Sequence, residues 1–273
     1  MHEAGRTPKL CGRRARDHLV LWDADRRIVV PGPVRTDPAD AEKVDLVFLA
    51  VKATQVVAAA PWLSPVCRPD TVVCVLQNGV EQEAAVAPHV PDSPVLPAVV
   101  WFPAQTQADG SVRLRGAARL TVPDRAAART VLAALRDTRC SAETSEDFPS
   151  VAWRKLVQNA VAGLMALSGR RSGMFRRDDI ARLSLDYARE CLHVARAEGA
   201  VIDDDVPQAI VEMFRAYPTD LGTSILADRE AHRPLEWAIR NGVVQRLGQV
   251  HGIPTPISDV LVPLLASASD GPG

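Results

Sequence analysis

The sequence predicts an α/β protein: a doubly wound parallel sheet, truncated at its N-terminal end, followed by an all-α domain. Three observations predict it. Continuous apolar runs of strand length alternate with helical patterns up to about residue 146, the order that parallel strands and crossover helices require. From Asp147 onward the pattern is helical with almost no strand signal. The 273 residues, 47% hydrophobic and 24% charged, are enough for two domains with ordinary cores. The boundary is expected near Glu146, giving domains 1–146 and 147–273.

In chain order, Met1 to Gly5 reads as the end of a helix and Thr7 to Cys11 as a strand. Leu46 to Val51 is a continuous apolar run, as a strand covered on both faces needs. A helix is expected from about Thr54 to Leu63, a strand from Thr71 to Leu76, a helix from about Val80 to Ala87 and a strand from Pro97 to Trp101, with Pro tolerable at its first position. Asp109-Gly110 separates two short alternating segments, an antiparallel excursion, and a helix follows near Arg125 to Arg136. Five helices complete the chain, at roughly 149–168, 177–199, 205–216, 234–251 and 256–267. Gly199 and Gly252 stand where C-terminal caps belong. The polar tail Ser267 to Gly273 is expected to fray.

Composition excludes several classes. With 32 basic against 33 acidic residues, nothing favours nucleic acid or an anionic membrane as partner. No run approaches the ~18 apolar residues of a membrane span, and the basic N-terminus has no apolar segment of a signal peptide. The five cysteines form no C-x-x-C and no His/Cys cluster, so neither a disulfide framework nor a metal site is expected, and a reducing cytoplasm is the simplest location. Lys occurs only at Lys9, Lys43, Lys52 and Lys155, so the remaining 28 basic residues are Arg. A coding bias accounts for that skew, but a Lys retained in such a background is a better candidate for a position that needs an amine.

Several residues could carry chemistry, each with a plainer alternative. Lys52 closes the strand at 46–51, and ligands of open α/β sheets bind at the carboxyl ends of strands; a solvated Lys at a helix start is equally consistent. Asn78, in Gln77-Asn78-Gly79, ends the next strand on the same edge, although a helix N-cap is the more economical role for it. Lys155 and Asn159 lie four apart on one helix face. That spacing suits a wet stripe, or a general acid with an orienting amide. Ser224 and Glu236 read equally well as surface or capping residues, and Glu230 with Arg233 or His232 as a surface ion pair.

Taken in order, D-L-V-F-L-A-V-K-A-T-Q at 45–55, Q-N-G-V at 77–80, W-R-K-L-V-Q-N-A at 153–160 and T-S-I-L-A-D-R-x6-E-x4-N-G at 223–242 resemble the ketopantoate reductase (2-dehydropantoate 2-reductase) family, and H-G-I-P-T-P at 251–256 fits too. The resemblance implies an N-terminal Rossmann-like NADP-binding domain, a helical substrate domain and a site in the cleft between them. NADPH would reduce a 2-oxo acid, most simply ketopantoate to pantoate in pantothenate biosynthesis. Lys155 falls on the family's catalytic Lys, the proton donor to the keto oxygen. Asn159, Ser224 and Glu236 fall on substrate-orienting positions, and Asn78 on one that meets both cofactor and substrate. Lys52 and Gln55 fall among cofactor contacts, and Arg13 where a family Arg grips the 2′-phosphate. A planar fork suits a phosphate, whereas the acid should be an amine whose pKa a cleft can tune.

Two departures from the family stand out. The Gly-rich G-x-G-x-x-G turn that receives the pyrophosphate is absent, so the first strand, the turn and most of the following helix are expected to be missing, leaving neighbouring strands unpaired. Gly163 also stands where the family often has an Asn one turn beyond Asn159, which changes the partners a substrate would find. These departures keep two alternatives open, a reductase of another oxo-acid or imine and a catalytically silent binding relative. Monomer and homodimer are both open.

Overall fold

The computed structural model describes residues 1–270, in two compact units: Met1–Gln77 with Gln82–Phe148, and Asn78–Glu81 with the chain from Pro149 onward. The first unit begins with a single 3-10 turn, His2–Ala4, closed by Gly5 at φ 72°, a left-handed cap that suits glycine. Strands β1 (Leu10–Cys11), β2 (His18–Asp23), β3 (Arg26–Pro31), β4 (Val34–Arg35) and β5 (Leu46–Leu49) follow. Then come α1 (Val56–Val66), β6 (Val72–Val75), α2 (Gln82–Val86), β7 (Val95–Pro97), β8 (Val99–Val100), β9 (Ala104–Thr106), β10 (Val112–Leu114), β11 (Ala118–Pro123), α3 (Ala128–Leu135) and β12 (Cys140–Ser145).

The doubly wound character lies in the parallel sheet β5-β6-β7. Alternate side chains of β6 enter two different cores. Val73 and Val75 pack with Val56 and Leu63 of α1 and Val86 of α2, while Val72 and Cys74 pack with Leu120 and Val122 of β11 and Val131 of α3. A strand covered on both faces reads as an unbroken apolar run, and each such buried Val or Leu contributes about 1.5–3 kcal/mol. The strand expected at 97–101 is broken at buried Ala98: β7 pairs with β6, and β8 joins β11. β1 and β4 form a separate parallel pair, and β5 stands at the edge of the β5-β6-β7 sheet.

Several features of this unit went unread in the sequence, β4 and β11 among them. β2 and β3 form a six-residue antiparallel hairpin whose turn places Ala24 at φ 49°, and β12 pairs in parallel with β11. The excursion around Asp109-Gly110 is the β9–β10 hairpin, with Gly110 at φ 80° and the Ser111 N–H and hydroxyl donating to the Asp109 carboxylate.

The second unit contains α4 (Phe148–Ser168, whose first residue belongs to the other unit), α5 (Asp178–Ala197), α6 (Val206–Ala216), α7 (Ser224–Glu230), a π-helical turn at Ala238–Gly242, α8 (Val243–His251) and α9 (Pro256–Asp270). α7 was not expected. α4 is its axis: Trp153, Leu156, Val157, Ala160, Val161, Leu164 and Met165 are all buried, the pattern of a central helix surrounded by others. Gly199 and Gly252 take positive φ, 86° and 64°, just past α5 and α8, as their cap positions require. The tail differs from expectation: α9 runs through Ser267 to Asp270, and the Ser269 hydroxyl accepts from the Leu235 N–H at 2.9 Å. Residues 271–273 of the expected frayed tail lie outside the described residues. Among the described residues no helix is long and apolar enough to cross a membrane, and no His/Cys/Asp/Glu group could hold a metal ion.

Candidate active site

In the first unit, the cofactor-contact candidates stand at carboxyl ends of parallel strands. Arg13 is exposed, two residues past β1. Lys52 and Gln55 lie just beyond β5, in the 3-10 turn that leads into α1. The Lys52 N–H donates to Gln55 Oε1 at 3.4 Å and the Gln55 N–H to the Lys52 carbonyl at 2.8 Å, so the two residues fix each other's backbone.

In the second unit, three helical segments and the loop at Asn78 converge. α4 supplies Lys155 and Asn159, spaced four apart so that both face the same way. The wet-stripe alternative fails: Asn159 is only 7% exposed. Burial, with the nearby Arg240 charge adding to it, pulls the Lys155 amine from its ordinary value down to about 8. Asn78 is not a helix cap. α2 begins only at Gln82, and Asn78 Oδ1 instead accepts from Asn159 Nδ2 at 3.1 Å. Ser224 is the first residue of α7 and caps nothing; its hydroxyl accepts from Arg240 Nη1 at 3.1 Å. Glu236 is buried. The structure therefore brings Asn78, Asn159 and Ser224 into one hydrogen-bonded chain through Arg240.

Sequence reasoning missed Arg240. It donates from Nη1 to Ser224 and from Nη2 to Asn159 Oδ1, each at 3.1 Å, and is 2% exposed. Burial works against its charge, and Glu236 and Asp228 support it. The sequence carried no signal for it: Arg240 falls among the four unassigned positions between Glu236 and Asn241. The π turn brings it inside. Arg240 and Asn241 are consecutive residues of this turn, and both are buried. π turns recur at functional sites.

Asn241 explains Gly163. Its Nδ2 donates to the Ala160 carbonyl at 3.0 Å and the Tyr187 hydroxyl at 2.9 Å, and a Cβ on Gly163 would lie 2.7 Å from that same nitrogen. Gly163 is thus the clearance for a fixed amide from the π turn. Arg171-Ser172-Gly173, the other departing stretch, is a structural staple: the Ser172 and Gly173 N–H groups donate to the Leu221 and Thr219 carbonyls, and the Ser172 hydroxyl to that of Pro218. Glu230 pairs with Arg171 at 2.7 Å, not with Arg233 or His232; Arg233 pairs with Asp228.

Comparison with known proteins finds similar sequences over both halves of the chain. The family model described as "Ketopantoate reductase PanE/ApbA" matches residues 1–127, and its C-terminal counterpart matches residues 147–268. A 2-dehydropantoate 2-reductase of Mycobacterium tuberculosis is 58% identical over all of this chain and 93% of its own length. One from Caulobacter vibrioides is 33% identical over 95% of this chain and 90% of its own. Among solved structures, a dimeric ketopantoate reductase from Staphylococcus aureus superposes with a TM-score of 0.87 at 24% identity, covering 97% of this chain and 91% of the other. A D-mandelate dehydrogenase with NADH and anilino(oxo)acetate shares the fold at a TM-score of 0.86 and 22% identity, covering 98% and 93%. By both halves of its sequence and by its fold, the chain belongs to the ketopantoate reductase family.

Proposed function

We propose that this protein reduces 2-dehydropantoate (ketopantoate) to pantoate with NADPH, the reduction that forms the pantoate used in pantothenate biosynthesis. The observation that carries the reading is Lys155: an amine held at about 8 by its surroundings, on one helix face with a buried Asn that is bonded to a second one. A proton donor works best when its pKa lies near the operating pH. We assign residues 1–146 to cofactor binding and 147–273 to substrate binding and catalysis.

NADPH, when bound, supplies a hydride to C2 of the substrate. The residues of the first unit fit the two ends of such a cofactor. Arg13 offers a planar fork for the 2′-phosphate, and Lys52 and Gln55 offer donors at a strand end. The given residues hold no G-x-G-x-x-G turn for the pyrophosphate. As C2 is reduced, Lys155 Nζ passes its proton to the keto oxygen, which takes the former π electrons and becomes the hydroxyl. The neutral amine then recovers a proton from solvent. Asn78, Asn159, Ser224 and Glu236 orient the substrate. All five cysteines are free thiols, which supports a cytoplasmic location.

A second reading, another 2-oxo acid as substrate, is favoured by the buried Arg240, whose bonds to Asn159 and Ser224 occupy acceptors that a substrate would otherwise find. The test is NADPH consumption with a panel of 2-oxo acids, alongside fluorescence titration of NADPH. The highest kcat/KM should be for ketopantoate with NADPH, above NADH. Preference for a different 2-oxo acid would favour the second reading, and no binding of NADPH would leave only a silent relative.

A further inference from the structure

The chain of hydrogen bonds through Asn78, Asn159, Arg240 and Ser224 has a direction. A guanidinium carries N–H donors and no acceptor, so both groups bonded to Arg240 must accept. Asn159 therefore turns Oδ1 toward Arg240 and Nδ2 toward Asn78, and Asn78 receives that bond on Oδ1. What remains to Asn78 is its own Nδ2, a donor. Ser224, whose oxygen accepts from Arg240 Nη1, keeps its O–H to donate elsewhere.

Taking the reductase reading as its basis, we propose that Arg240 is a positioning residue that sets the polarity of the substrate pocket, so that Asn78 and Ser224 meet the substrate as donors. Such a pocket suits the oxygens of a 2-oxo carboxylate and disfavours an analogue that brings N–H groups to the same points, because opposed donors leave each other unsatisfied. It therefore separates an oxo acid from an imine or amide. Without Arg240, either amide orientation of Asn159 would serve and the pocket would lose this bias. The burial of Arg240 agrees with a role beyond stability. A cation at 2% exposure, beside the Lys155 amine whose pKa its charge depresses, opposes folding more than it helps.

The test uses the full chain as wild type, Arg240→Met and Arg240→Lys, with thermal melting to establish that each is folded. Arg240→Met should raise KM for ketopantoate about 10- to 100-fold, the effect of losing polar contacts of about 1.5–3 kcal/mol, while the NADPH dissociation constant stays put. Arg240→Lys, also donor-only, should recover most of that loss. Without any substrate, the Asn159 Nδ2 protons should exchange slowly with solvent in wild type, where the amide is held by Arg240 and Asn78, and measurably faster in Arg240→Met. An unchanged KM in folded Arg240→Met, no recovery in Arg240→Lys, or an Asn159 amide indifferent to the substitution would overturn the proposal. If wild type reduces no 2-oxo acid at all, the functional reading fails, and the amide spectra still decide the polarity.

Discussion

Lys155→Ala is expected to lower kcat by about 10²-fold or more, the loss typical of a positioned general acid, with NADPH affinity retained. The reason is local. Lys155 is the amine that the fold has brought down to about 8, first by taking it out of water and then by placing Arg240 nearby. Arg in its place would keep a charge without an acid of suitable strength, because a guanidinium does not give up its proton in this range. Lys155→Arg should therefore fail nearly as badly as Ala, and steady-state kinetics on both variants checks this. Turnover within a few fold of wild type in either would remove Lys155 from the proton transfer.

The largest effect on stability is expected at Glu190. This buried carboxylate on α5 accepts from the N–H groups of Ile257 and Ser258 at 2.8 Å each, and from the Ser258 hydroxyl at 2.6 Å. Those N–H groups belong to the first turn of α9, where a helix leaves its donors unsatisfied and favours a negative charge. Glu190 thus caps from a distance a helix that begins with Pro256. Glu190→Ala should cost about 3 kcal/mol, the penalty for leaving buried donors of a charged hydrogen bond unpaired. It should appear as a lower urea midpoint at constant m. Glu190→Gln, which keeps one acceptor oxygen, should recover part of the loss.

How much was legible in the sequence depended on whether position or side-chain packing carried the information. β5, β6 and the long helices announced themselves because their apolar periods match their environment on both faces or all round. The β2–β3 hairpin escaped because its turn uses Ala24-Asp25 in place of the Asn-Gly or Asp-Gly pairs that mark such turns. α7 escaped because it is one short segment after an irregular loop. At the candidate site, Lys155 and Asn159 could be seen from their spacing, Asn78 from its place at a strand end, and Ser224 and Glu236 only from the family resemblance. Arg240 could not be seen at all. A period of 3.6 does not announce a π turn, and Arg240 and Asn241 lie in that turn, both buried. Gly163 looked like a missing substrate contact in the sequence; in the structure it is the space that Asn241 needs.

The most direct test of the central claim, that Lys155 delivers the proton in an NADPH-linked reduction of a 2-oxo acid, is the pH dependence of turnover, read as kcat/KM for ketopantoate, which reports groups of the protein before substrate binds. The active form carries the protonated amine, and the folded protein holds that group at about 8. Turnover should therefore be full below that pH and fall tenfold per unit above it, with no such limb in the residual activity of Lys155→Ala. A rate that stays flat through this range and beyond the ordinary lysine value, or a limb that survives in Lys155→Ala, would contradict the account.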